Sequence, residues 1–220
     1  MILPTAAAIA EVAGPSDAAK QALAMAKTPP DYLAALQEKK LGPDMIKAMA
    51  HGMSDRASVM WAAKSAEKVS AKLPPAEVEA MQAALAWVKD PSEAAQAAAA
   101  AAAAKADLQG PGAWAAQAAA FAGTKDKALP RLAPPAVSAA VLMAAAIEAF
   151  PKHAIPKPKI PSVELPAAVV EGAAAVAPAL AAANVPAVTV PARVLAKEFQ
   201  SQQPFIALGL DIASGKTPVG

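Results

Sequence analysis

The chain has no cysteine among its 220 residues, and histidine and tyrosine are almost as scarce, with two copies and one. Without a thiol, the protein can form no disulfide, no cysteine nucleophile and no thiolate metal site. The histidines, His51 and His153, both fall at predicted helix ends, where a cationic side chain suits the helix dipole. No cluster of residues with metal-ligand spacing accompanies them, so we predict no metal and no other cofactor.

A large net charge and long apolar runs are also lacking. The formal charge is +2, and the lysines are scattered instead of forming a basic run with interleaved aromatics, as nucleic-acid binding would require. The alanine run at 97–104 is too short and too weakly apolar to cross about 30 Å of bilayer. Residues 1–5 lack the basic region and apolar segment of a secretory signal. We therefore expect a cytoplasmic protein that binds no nucleic acid and spans no membrane.

Alanine dominates what is present, and hydrophobic residues make up 56% of the chain. Alanine loses no side-chain entropy in a helix, and β-branched residues in alternating runs are scarce before residue 185. Because each methyl group buries little area, the helices should approach closely, with a few large residues setting the packing. The composition predicts an all-α fold, a compact multi-helix stack of short Ala-rich helices.

Prolines and capping residues mark the predicted helix boundaries. Thr28-Pro29-Pro30-Asp31, for example, combines an N-cap, prolines in the first turn and an acid at the third position. Helices are predicted from Thr28 to about Lys40 (closed by Gly42), Pro43 to His51, Ser54 to about Lys72 and Pro75 to Lys89, then a polyalanine helix opened by Asp90, one around Trp114, and one following Pro135 and ending near Phe150.

The two middle helices carry apolar residues on two faces. In the first, Val59 and Ala66 belong to a stripe with helical period, and Trp61 projects from nearly the opposite side. In the second, Trp87 lies opposite a stripe that includes Met81. A helix that is apolar on two sides must be covered on two sides. We expect both helices to be inner members of the stack.

The character of the chain changes after Phe150. Prolines interleaved with lysines between 151 and 166 favour an extended linker, and 167–190 is an irregular stretch of Ala, Val and Pro. The last segment regains an apolar helical pattern, so it should dock back on the body. We divide the chain into an Ala-rich helical domain (1–150), a Pro/Ala-rich linker or excursion (151–190) and a C-terminal helical segment that packs on the main domain (191–220).

No catalytic constellation stands out. Gly215-Lys216-Thr217 cannot be a phosphate loop, because position 210 is leucine where the motif needs glycine, and a helix C-cap is favoured. Glu77 and Glu79 point in different directions on a helix, so solvated faces explain them. The Pro158–Pro161 stretch fits a minimal PxxP ligand, although a spacer is favoured. We predict no catalytic residue.

Trp61 is the candidate contact for a partner. Its face continues into lysines, so a side that starts apolar ends charged, and tryptophan is enriched in interface hot spots. Burial under a neighbouring helix is the alternative. The candidates for partner binding are Met60, Trp61, Lys64 and Lys68. Three aromatic residues are assigned to the structural core: Trp87, Trp114 and Phe121.

Five different short motifs are spread along the chain: MWAA at 60–63, AWVKDPSE at 86–93, GAWAA at 112–116, LAPP at 132–135 and FIALGLDIASG at 205–215. Together they resemble an uncharacterised bacterial family, domain of unknown function 6931. Met60 and Ala63 depart from its pattern, where an aromatic residue and a cysteine are expected. The resemblance implies no activity to transfer. It implies a setting, among the spike, tip and adaptor proteins of type VI secretion.

These observations predict a non-enzymatic accessory protein, an adaptor or scaffold of a type VI secretion cluster that acts by protein–protein interaction. Its expected partners are other proteins, among them spike, adaptor or effector components. Two alternatives remain open. One is a small hydrolase or ligand-binding domain whose pocket only the fold assembles, and the other is a self-assembling structural protein.

Overall fold

The computed structural model describes residues 2–122, 131–150 and 192–217, and all regular structure within these ranges is helical. The helices are α1 (Ala6–Ala13), α2 (Asp17–Leu23), α3 (Pro29–Glu38), α4 (Gly42–Gly52), α5 (Asp55–Lys68), α6 (Pro75–Lys89), α7 (Glu93–Lys105), α8 (Pro111–Phe121), α9 (Ala133–Ala149) and α10 (Ala192–Ala213), with a short 3-10 turn at Ser70–Lys72. The predicted all-α, compact fold is confirmed. Within the described ranges, none of the helices is both long and apolar enough to cross a bilayer.

Helix α5 lies at the centre of the molecule. It packs against α6, α8 and α9, and α7 covers α6 and α8 from outside. Helices α1 and α3 pack on α4, which in turn packs on α9. Helix α10 lies across α4, α5 and α9, so the C-terminal segment docks on the body. The buried side chains of α5 surround its axis, as a helix with two apolar faces requires.

Side-chain caps start several helices, with one correction to the sequence prediction. Thr28 and Asp31 form the capping box expected for α3. The polyalanine helix, by contrast, is opened by Ser92, whose side chain accepts a hydrogen bond from the Ala95 N–H, and not by Asp90. Asp90 instead terminates α6. Two caps compete within three residues, and the serine that precedes the run of alanines prevails.

The end of α3 also differs from the prediction. The helix ends at Glu38, and Lys40 adopts the left-handed conformation (φ 57°) that the sequence analysis assigned to a closing glycine. The N–H groups of Lys40 and Leu41 bond back to the carbonyls of Gln37 and Leu36, which completes a Schellman motif. Gly42 begins α4 and serves another purpose, since a Cβ there would lie 1.8 Å from Gln202 Oε1 of α10.

Other predicted boundaries shift by a few residues. Helix α5 stops at Lys68 instead of Lys72, and its last predicted turn is the 3-10 turn. Helix α9 begins at Ala133, two residues before Pro135, because prolines are tolerated in a first turn. The C-cap predicted at Gly215 is present with φ 77°. The predictions for 151–190, including the PxxP stretch and His153, lie outside the described residues.

Long polar side chains of one helix bind the free carbonyls at the end of another helix. Arg56 of α5 donates through Nε to the Val88 carbonyl, 2.7 Å away at the end of α6. Gln96 of α7 donates to the carbonyls of Ala120 and Ala122 at the end of α8, both at 2.7 Å. These bonds satisfy carbonyls that have no partner within their own helix. They fix how the short helices sit against one another.

The N-terminal helices are joined to α4 by a buried carboxylate. Asp44 accepts hydrogen bonds from both the backbone N–H and the hydroxyl of Ser16, each at 2.8 Å. The same hydroxyl accepts a hydrogen bond from the Ala19 N–H and so caps α2. The start of α2 is thereby held against the start of α4.

Candidate functional site

Trp61 lies in the core, which corrects its interpretation as a surface contact. The residue is 0% exposed, and its indole Nε1 donates to the Phe205 carbonyl of α10 at 2.8 Å. Gly209 lies over the same ring, so closely that a Cβ there would be 2.6 Å from Trp61 Cε2. An indole with no exposed surface that is hydrogen-bonded to α10 cannot anchor a partner unless that helix is displaced. The opposite apolar face noted in the sequence is covered by the chain's own C-terminal helix.

The other three candidates around Trp61 do not form an apolar surface patch either. Met60 is buried, which corrects its assignment to partner binding. Lys64 is occupied by an ion pair with Glu67 at 2.7 Å, formed within α5. Lys68 is exposed, and its Nζ lies 6.0 Å from the centre of the Phe205 ring. Trp61 and Lys68 therefore both contact α10, and we place the candidate site elsewhere.

The three aromatic residues assigned to the core differ in depth. Trp87 is buried between α6 and its neighbours, at 5% exposure. Trp114 and Phe121 of α8 are partly buried and pack against the same core from its edge. The methyl-rich surfaces of α8 face inward, since Ala113, Ala116 and other small residues are fully buried. The aromatics thus frame a core whose centre is filled largely by alanine.

Glu77 is buried, so the prediction that it lies on a solvated face is wrong. Its carboxylate is held at the start of α8, where Oε2 accepts a hydrogen bond from the Ala113 N–H at 2.9 Å. Burial raises the pKa of the Glu77 carboxyl, and nearby backbone N–H groups of Ala113, Gly112 and Gly110 oppose that shift. The residue caps a neighbouring helix. Glu79 is exposed and pairs with Lys105.

His51 lies in the last turn of α4 as predicted, but it does not provide a cation there. Burial, followed by the neighbouring charges of Arg131 and Lys47, lowers the pKa of His51 to about 4. Arg131 supplies the positive charge instead, donating to the carbonyls of His51 and Met53 at 3.0 and 2.9 Å and pairing with Asp55. Across the described ranges, no cluster of three or more acidic or histidine side chains is placed to hold a metal ion.

A groove separates α3 from the C-terminal end of α10. One wall is a face of α3 that includes Leu33, Ala34 and Gln37, and the other includes Leu210 and Ala213 of α10. The cavity between them measures about 360 Å³. Ala34, Gln37 and Ala213 are exposed at its mouth, and Leu210 is 38% exposed. The walls are thus mostly apolar, and neither carries a charged side chain.

The floor of the groove consists of two methionines of α4 and a third that directly follows the helix. Met45 and Met49 lie about one turn apart on one face of α4, and Met53, with extended backbone, is the C-cap residue. The three methionines are only 1%, 0% and 3% exposed, so a partner contacts their side chains only when these repack. Methionine has three rotatable side-chain bonds and a polarizable sulfur, which let it repack around different shapes. The floor can therefore change its shape at low cost.

Part of the signal for this floor is present in the sequence. Met45 and Met49 share a face of the helix predicted from Pro43 to His51, and Met53 follows the end of that helix. Such a stripe is indistinguishable from ordinary core until the covering elements are known. Here α10 covers only part of it, and its wall residues lie more than 150 positions further along the chain. The groove exists only because the C-terminal helix docks beside α3 without reaching it.

The charged side chains near the groove, in α3 and directly after it, differ in whether they have a bonding partner. Asp31, near the start of the α3 wall, has its carboxylate bonded to Thr28 in the capping box. Lys39 and Lys40 follow Gln37 at the other end of that wall, where both are exposed and form no ion pair with any described residue. Glu38 is the exposed acid between them and the wall. This end of the groove has a surplus of available positive charge.

A comparison with known families matches residues 32–155 to a family model described as a family of unknown function, DUF6931. No curated protein and no solved structure matches the chain. The matched range includes α4 to α9 and α3 from residue 32 onward, and with them the methionine floor and the tryptophans, while the motif at 205–215 lies beyond it. Because the match covers more than half of the chain, it shows the family: the chain belongs to DUF6931, a family whose function is unknown.

Proposed function

We propose that this protein is a non-enzymatic adaptor or scaffold that binds another protein through the groove between α3 and α10. The observation that carries the proposal is the methionine floor beneath two apolar walls. Flexible, Met-rich surfaces are used by proteins that accommodate a partner by repacking. The other apolar faces of the central helices are covered by the chain itself, as the burial of Trp61 illustrates.

The setting we propose is the cytoplasmic side of a type VI secretion cluster, with a spike, adaptor or effector protein as the partner. Its support is the family resemblance, and the groove adds a physical means of binding. A binding module fits the molecule better than a hydrolase, because the groove lining offers methyl, thioether and amide groups and the Ser214 hydroxyl, with no carboxylate or imidazole to activate that hydroxyl.

The proposal is tested with purified proteins from a type VI secretion gene cluster. Each spike, tip, adaptor and effector protein is mixed with the full chain, and binding is measured by calorimetry. The Ala34→Glu variant places a carboxylate at the groove mouth, and Ala98→Glu makes the same change on the exposed side of α7. We expect Ala34→Glu to abolish binding and Ala98→Glu to preserve it. Equal binding by the two variants would exclude the groove, and absence of any partner would count against the secretion setting.

A further inference from the structure

We infer that the groove receives one amphipathic α-helix of the partner, with its apolar face on the methionines and acidic residues beside Lys39 and Lys40. This inference rests on the proposed function and specifies the chemistry of the partner. Its three supports are the shape of the groove, the spacing of its floor and the distribution of charge around it.

The shape of the groove suits a rod of helical diameter. Two contacts show that α10 runs parallel to α4, since Gly42 faces Gln202 and, about two turns later on both helices, Met49 faces Gly209. Helix α3 packs on the other side of α4 and reverses direction at Lys40. The floor is therefore flanked by α3 on one side and, towards Met49 and Met53, by the last turns of α10 on the other. A helix laid between them would complete a layer of packed helices, as in other helix-in-groove complexes.

The spacing of the floor fits the repeat of a helix. Met45 and Met49 lie four residues apart on α4, about 6 Å at 1.5 Å per residue, and Met53 continues the floor past the helix end. A partner helix of two to three turns presents apolar side chains at i, i+3, i+4 and i+7, enough to cover all three methionines. In the walls, Leu33 and Leu210 would pack against those side chains from both sides.

The charge around the groove favours acidic residues on the partner. Lys39 and Lys40 are exposed and unpaired among the described residues, and Glu38 beside them carries an opposing charge. Both lysines follow directly after the α3 wall, whose last lining residue is Gln37. Opposite charges across an interface speed association and fix its direction. An acidic first turn on the partner also suits the partner's own helix dipole.

Two model peptides test this inference on the full chain. Both are 15-residue capped helices with leucine at i, i+3, i+4 and i+7, and they differ only in carrying glutamate or lysine in the first turn. Fluorescence anisotropy gives the affinity, and NMR of ¹³C-labelled methionine methyls locates the site. We expect the acidic peptide to bind at least about fivefold more tightly at low salt, a difference that salt should reduce. Binding should shift the methyls of Met45, Met49 and Met53.

The variants separate charge from shape. Replacing Lys39 and Lys40 with glutamate should reverse the preference between the peptides. Lys89→Glu is the control, because Lys89 is also an exposed lysine at the end of a helix but lies away from the groove. Equal affinity of both peptides would overturn the acidic partner and leave the groove as a protein-binding site. Dodecanoate serves as a small apolar probe. If it shifted the same methionine methyls while neither peptide bound, both proposals would be overturned in favour of a small apolar ligand. No methyl shift with any probe would also overturn both.

Discussion

Two helix crossings in this protein depend on a glycine, and different groups face the two glycines. At the crossing of α6 and α8, a Cβ on Gly112 would lie 2.0 Å from the backbone oxygen of Glu77. At the crossing of α10 over α4 and α5, a Cβ on Gly209 would lie 2.6 Å from Met49 Cε and from the Trp61 ring. Gly112 faces the main chain of α6, which cannot move without the rest of that helix. Gly209 faces side chains, of which the methionine is flexible.

This difference explains why the protein has both a closed and an adaptable region. Around α6 and α8, small residues bring backbones together, and the buried Glu77 ties the two helices. Around α4 and α10, contact depends on Met49, which also forms part of the groove floor. A change in the conformation of Met49 in the floor would therefore alter its contact with α10. The adaptable region is where we place partner binding.

The largest expected effect is the loss of the Trp61 side chain, which lies where the two regions meet. Trp61→Ala removes a fully buried indole and should lower the free energy of unfolding by about 3–5 kcal/mol. Trp61→Phe retains most of the packing and removes the hydrogen bond to Phe205, which should lower the free energy of unfolding by about 1 kcal/mol. Urea unfolding measures both. A loss below about 1 kcal/mol for Trp61→Ala would contradict the burial of the indole.

The closed region is probed by Gly112→Ala. The new methyl group would meet the Glu77 carbonyl, so α6 and α8 would have to separate. We expect a loss near the upper end of the range for overpacking, about 3 kcal/mol, measured by the shift of the urea midpoint. If the variant were as stable as the wild type, the backbone contact between these helices would be excluded.

The adaptable region is probed by Gly209→Ala, the matched counterpart. Both changes add one methyl group to a glycine in a helix, but Gly112 lies in the first turn of α8 and Gly209 inside α10, where alanine gains about 1 kcal/mol of helix propensity. Met49 can move aside, whereas the buried Trp61 ring must shift. Because the nearest atoms are all side-chain atoms, we expect a smaller loss than for Gly112→Ala, about 1–2 kcal/mol. Equal losses in the two variants would show that the Met49 and Trp61 side of the molecule is as rigid as the main-chain crossing.

Helix positions were predictable because the sequence marks them with prolines and caps. The capping box at Thr28 and the glycine at 215 act as their residue types predict. Failures occur where two signals compete or where a residue serves a distant contact. Asp90 and Ser92 compete for one helix start. Gly42 looks like a C-cap in sequence, yet its position is set by Gln202, some 160 residues away in the chain.

The candidate site was less predictable, since it depends on tertiary contacts. The face of Trp61 looks available until α10 is known to lie over it. The methionine stripe looks like core until α3 and α10 are known to leave a gap above it. Periodicity identifies which residues share a face of a helix. Only the packing of distant segments decides whether that face is covered.

A smaller effect concerns the charge buried in the closed region. Burial raises the pKa of Glu77 above its ordinary value of 4.5, so the folded state binds this proton more tightly than the unfolded state. The corresponding stability is present below pH 4.5 and is lost as the pH rises through the raised pKa. Glu77→Gln should therefore flatten the pH dependence of the urea midpoint in that window. The exposed Glu79→Gln should not, and identical slopes for the wild type and Glu77→Gln would refute the assignment.

Substitutions at exposed alanines should have the smallest effect on stability. A glutamate at the mouth of the groove should differ from one on α7 only in its effect on binding. Ala34 is exposed on α3 and Ala98 is exposed on α7, so glutamate at either position should change the free energy of unfolding by no more than about 0.5 kcal/mol. In Ala34→Glu the carboxylate lies beside the methionine floor, where an apolar partner face would have to desolvate it. We expect at least about tenfold weaker binding of the acidic peptide to Ala34→Glu than to Ala98→Glu, a difference of about 1.4 kcal/mol that thermal stability does not share. If both variants bound equally well, the adaptable floor would be a packing feature of the fold and not a surface for a partner.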